Sequence, residues 1–85
     1  MEKLIHLKNI NQELEAKLRK VGVDSPEKLR EKGSRHVFVK IKTVDSGACF
    51  KMLLNLEGAI QGVSAADLSS ETKEELLAFM EIFNQ

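Results

Sequence analysis

Two histidines, one cysteine and several glutamates are the side chains of this 85-residue chain best suited to chemistry near neutral pH. A transition-metal site needs three or four ligands converging at short spacing. His6 and His36 stand alone, and Cys49 has neither Cys nor His near it, so no metal site is expected. A cysteine in the first turn of a helix can be an activated nucleophile. Cys49, however, is followed by Phe50, Met52 and Leu53, and free cysteine is among the residue types most often buried; it is expected in the core. The glutamates sit among lysines four residues apart, as solvated helix surfaces do. There is no glycine-rich phosphate loop, no serine elbow and no paired-carboxylate motif. These residues predict a non-catalytic chain with no cofactor and no small-molecule substrate.

Composition narrows the partners. Lys+Arg and Asp+Glu are balanced at 13 each, so there is no global field to draw in nucleic acid or an anionic membrane. The balance is uneven along the chain: residues 1–35 hold nine bases against six acids, and residues 36–85 hold four against seven, giving +3 and −3. One cysteine cannot form an internal disulfide, and no charged-then-apolar leader opens the chain, which fits the cytoplasm. No run reaches the ~20 apolar residues of a membrane span.

Eighty-five residues make one domain, 1–85, whose small core must form around a central element. That element is Ala48 to Gly62, ACFKMLLNLEGAIQG, with the helix itself at about 47–61. Its polar positions Lys51, Asn55, Gly58 and Gly62 recur at steps of four, three and four, so they form one narrow stripe on an otherwise apolar helix. Ser46 is the expected cap and Gly62 the stop.

Around it the chain supplies further helices. A short apolar patch, Leu4, Ile5 and Leu7, reads as a turn of helix tucked onto the core. Ile10, Leu14, Leu18 and Val21 then share one helix face, with Asn11 as cap, Gly22 as stop, and Glu13–Lys17 and Glu15–Arg19 in the favourable acid-before-base order. Ser25 caps a short helix with Pro26 in its first position, ending at Gly33. The run from Arg35 to Val44 is ambiguous: Val37, Val39 and Ile41 alternate like a strand, whereas Val37, Phe38, Ile41 and Val44 fit a helix face. No second strand is available to pair with it, so a helix is expected. Val63 to Leu68 is a short connection. The last helix opens at Ser69 or Ser70 and gathers Leu76, Phe79, Met80 and Phe83 on one face. Predicted core residues are Leu14, Leu18, Phe38, Ile41, Phe50, Leu53, Leu54, Leu56, Ile60, Leu76 and Phe79.

Two separated segments carry a family resemblance. Leu7-Lys8-Asn9-Ile10-Asn11, Leu14, Lys17-Leu18, Val21-Gly22-Val23, Ser25-Pro26-Glu27 and Leu29 through Gly33 make the first; Leu53-Leu54, Leu56-Glu57-Gly58-Ala59-Ile60, Gly62 and Leu68 make the second. Together they resemble the C-terminal domain of the TfoX (Sxy) competence regulators, here over nearly the whole chain. The resemblance implies an all-α domain of about five helices, of the helix-hairpin-helix or SAM-like kind. It also implies association with nucleic acid in competence or transcription regulation.

A helix-hairpin-helix binds phosphate through backbone N–H groups of a tight turn at a helix N-terminus. In this chain that turn would be Lys8, Asn9, Ile10 and Asn11, with Lys17 and Lys20 as flanking charge. The family usually has Gly where Asn11 stands, and Glu13 and Glu15 bring negative charge to the same helix end. DNA binding there would be weak, independent of sequence and lost between low and physiological salt. The second reading is a protein-interaction module. Leu77 and Ile82 lie off the core face of the last helix, so part of the arc with Met80 and Phe83 is expected to be exposed and to form a two-fold homodimer contact.

Overall fold

The computed structural model describes residues 3–84 and contains, among these, five α-helices and two 3-10 turns and no strand. A 3-10 turn at Leu4–His6 leads into α1 (Gln12–Lys20), α2 (Pro26–Lys32), α3 (Ser34–Val44) and α4 (Phe50–Gln61); a second 3-10 turn at Ala65–Asp67 precedes α5 (Ser70–Phe83). The ambiguous run is helical, as the lack of a pairing strand requires.

Most helix limits are set by capping residues. Asn11, Ser25 and Ser69 each accept a hydrogen bond from the backbone N–H three residues on, which satisfies a donor that the helix itself leaves free. Gly62 ends α4 in the left-handed conformation, φ 77°. The start of α4 differs from the expectation. Its N-cap is Cys49, with no side-chain cap, and Ser46 belongs to the preceding turn. That turn is held from outside: Lys42 Nζ donates to the Ser46 and Ala48 carbonyls, 2.8 Å each, and Asp45 accepts from Gly47 N–H. Ala48, just before the helix begins, is buried.

α4 packs against α3, α5, α2 and the second 3-10 turn. Its Leu53 and Leu56 are fully enclosed, together with Leu18, Leu29, Val37, Phe38 and Ile41. Leu14 and Leu76 are buried as expected; Phe50, Leu54, Ile60 and Phe79 only pack on the margin of this cluster. Leu4, Leu7, Ile10 and Val23 are also buried, so the N-terminal turn and α1 close one side of the core, α1 packing on α3 and on that turn. At 20–30 cal/mol per Å² of apolar surface, a fully buried leucine contributes about 2 kcal/mol relative to exposure.

Candidate functional site

The predicted phosphate-binding turn is a structural clamp. Asn9, not Asn11, takes the positive-φ conformation, φ 71°, a region that asparagine tolerates better than most residues. This aims its side chain at α4. Asn9 Nδ2 donates to the carbonyls of Val63 at 3.0 Å and Asn55 at 3.4 Å, while its Oδ1 accepts from Ala65 N–H at 3.2 Å. Ile10 is buried. Asn11 lies in extended backbone and spends its side chain on Leu14 N–H at 2.8 Å, one of the donors a phosphate would need.

The flanking charges are also divided. Lys17 Nζ meets Asp45 at 2.7 Å and Glu13 at 3.3 Å. The Asp45 carboxylate, then Glu13, raise the Lys17 ammonium above its ordinary range, while Lys17 and the Gly47 N–H hold Asp45 below the usual carboxylate range. Lys8 and Lys20 are exposed and make no ion pair among the described residues. Lys20 sits at the far end of α1, roughly 12 Å along a nine-residue helix. Beside the turn lies an open cleft of about 190 Å³, lined among others by Asn9, Asn11, Glu13, Lys17, Cys49 and Lys51. Its charges are mixed. Cys49 is exposed at its rim, contrary to the burial expected from its neighbours: the late helix start turns Ala48 inward and leaves Cys49 outside. Among the described residues no group of three or more His, Cys, Asp and Glu is placed to hold a metal. No helix of these residues is long and apolar enough to cross a membrane.

The residues proposed for a dimer contact separate as well. Met80 is buried at 8% exposure and serves the core. Phe83 is half-buried, stacked on Phe79 with centroids 5.9 Å apart and 11° between planes, and edge-on to Phe38 at 5.9 Å. Leu77 and Ile82 are exposed, at 47% and 72%. They are five positions apart, about 140° around a helix of 3.6 residues per turn, so they flank the core face on opposite sides and do not make one patch.

The sequence profile of the TfoX C-terminal domain matches residues 1–80. The chain belongs to that family. Two solved structures from Listeria monocytogenes share the TfoX C-terminal domain fold seen here. One, an uncharacterized protein in a triclinic form, is 36% identical with a TM-score of 0.95, over 98% of this chain and 94% of that one. The other, a protein of unknown function in a tetragonal form, is 38% identical with a TM-score of 0.91, over 94% and 98%. No curated protein matches the chain significantly.

Within this TfoX C-terminal domain the two sequence segments that signal the family meet each other. Gly58 of the second lies under Asn9 of the first: a Cβ at Gly58 would stand 2.5 Å from Asn9 Nδ2 and 2.7 Å from the Val63 carbonyl. The polar stripe on α4 is therefore the seat of the N-terminal turn. Glu57, beside it, accepts from the buried Ser34 hydroxyl at 2.6 Å and from Gln61 at 2.7 Å, joining α4 to the start of α3. Nothing local marks this pairing, because Asn9 and its partners are 46 to 56 residues apart. The sequence reading also missed Arg35, which reaches across from α3 to Glu75 of α5 at 3.5 Å.

Proposed function

We propose that this domain is a non-catalytic protein-interaction module, a helical scaffold that presents the outer side of α5 to a partner. The observation that carries this reading is the inward use of the hairpin. Asn9 is spent on α4 and the turn after it, Asn11 on its own helix, and Lys17 on Asp45. What remains for a phosphate is Lys8, Lys51 across the cleft and the distant Lys20, against Glu13 and Glu15 in the first turn of α1. Counterion release scales with the number of phosphates neutralised, so three scattered lysines supply little affinity. By contrast α5 leaves Ile82 open beside a half-buried phenylalanine stack, an arrangement suited to another protein. The resemblance to competence regulators supports reading such contacts as part of a regulatory assembly, for which we propose the cytoplasm.

The test is a fluorescence titration of the purified chain into short duplex DNA at about 50 mM salt, followed by a salt series. The expected result is no saturable binding. Saturable binding that weakens steeply with salt and disappears in Lys8→Glu would return the hairpin to the role the family resemblance gives it.

A further inference from the structure

The apolar surface of α5 has a charge pattern that selects its occupant. Glu75, Ala78, Phe79 and Ile82 follow the spacing i, i+3, i+4, i+7, so they form one strip along the helix. Ala78 and Ile82 are exposed and Phe79 is half-buried. Arg35 meets Glu75 at the head of the strip, so the strip borders α3. Ala78 is small, which lets a second backbone come close.

The surroundings are acidic. α5 holds four glutamates, Glu71, Glu74, Glu75 and Glu81, all exposed, against one lysine. That lysine, Lys73, donates to the Ala66 carbonyl at 3.2 Å. Of these four glutamates only Glu75 has an ion pair with a described residue, so three carboxylates stand unneutralised beside exposed apolar surface. Such a fringe repels nucleic acid and anionic lipid. It also opposes a second copy, because a two-fold contact through α5 sets the same four glutamates against themselves.

We propose that the Ala78–Phe79–Ile82 strip docks a basic amphipathic helix of another protein. The partner's apolar side chains would cover Phe79 and Ile82, and its Lys or Arg residues would meet the unpaired Glu71, Glu74 and Glu81. This rests on the protein-interaction reading and names its partner class.

The experiment is an NMR titration of the full chain with two synthetic amphipathic helices of one length, one of leucine and lysine, the other of leucine and glutamate. The basic peptide shifts resonances of α5 and of Arg35, more weakly as salt rises, and the acidic peptide shifts none. Ile82→Ser, at a position 72% exposed, keeps the fold by circular dichroism and weakens the basic peptide roughly tenfold, as loss of an apolar anchor does. Replacing Glu71, Glu74 and Glu81 with lysine reverses the preference. The proposal is overturned if the basic peptide does not bind, if both peptides bind alike, or if the shifts fall on residues 8–11. It is also overturned if light scattering shows a dimer that Ile82→Ser dissolves, since the strip then belongs to a second copy. Failure here with no DNA binding removes only the basic-helix partner; DNA binding removes the interaction reading itself.

Discussion

Gly58→Ala is the substitution that best separates packing from local preference. In an exposed helix the change is favourable by about 1 kcal/mol, because alanine loses less backbone entropy on folding. Gly58 is buried in the middle of α4, and the added methyl would meet Asn9 Nδ2 at 2.5 Å, the Val63 carbonyl at 2.7 Å and Ala65 N at 3.3 Å. Rotating Asn9 away relieves only the first contact, at the loss of its three hydrogen bonds, each worth about 1 kcal/mol net. The other two contacts are with backbone, so the turn after α4 must also move, and overpacking of this kind costs about 1–3 kcal/mol. The sum is a net loss of roughly 3–5 kcal/mol after the helix preference is credited. Urea unfolding followed by circular dichroism reads this as a lower midpoint with an unchanged slope. Asn9→Gly is the partner variant: it keeps the positive φ and removes the side chain, and Gly58→Ala should cost less in that background. A Gly58→Ala protein as stable as the parent, or more stable, would show that the Asn9 clamp does not constrain α4.

Leu53→Ala, at a fully enclosed position, should destabilise the fold by about 2–5 kcal/mol in the same assay. The Lys17–Asp45 pair makes a pH prediction. The Asp45 carboxyl is held below its ordinary range in the folded state, so its contribution is present above the unfolded carboxylate pKa and is lost as pH falls through the folded value. Asp45→Asn should therefore flatten the acid side of the stability profile, measured as urea midpoint against pH. On the alkaline side the raised Lys17 contributes below the unfolded lysine pKa and loses that contribution as pH rises through the folded value. Cys49 is exposed, so a thiol reagent should modify the native protein as fast as the urea-unfolded one; protection of several orders of magnitude would contradict its placement.

The helices were legible where the chain announces its own ends. Asn11, Ser25 and Ser69 cap as their types and positions indicate, Gly22 and Gly62 take positive φ past the ends they mark, and the pairs Glu13–Lys17 and Glu15–Arg19 form at 3.3 and 3.7 Å. These are interactions over three or four residues, and sequence displays them directly. The misplaced start of α4 has a different origin. Ser46 is a good local cap, but Lys42 holds its carbonyl and the burial of Ala48 delays the helix. Cys49 then falls outside, although its apolar neighbours argued for burial. Met80 moved the other way: it looked available for a partner and is enclosed, because a small domain draws on every long apolar side chain within reach of its central helix.

The clamp explains why family membership carries fold further than function. A hairpin that binds phosphate must leave its backbone N–H groups and small side chains open to solvent. Here the first signature segment supplies Asn9, Ile10 and Asn11 to internal contacts, and the second supplies Gly58, whose lack of a side chain lets Asn9 approach. Each segment is thus required by the other, and together they fix how α1 and its preceding turn sit on α4. Such a requirement holds whatever the domain binds. Lys8, Lys20 and Ile82 take no part in these contacts, and of these three only Lys8 falls in either signature. On the protein-interaction reading proposed above, partner choice rests on the outer face of α5, where Ile82 is 72% exposed and a single substitution can be read as a change in binding alone.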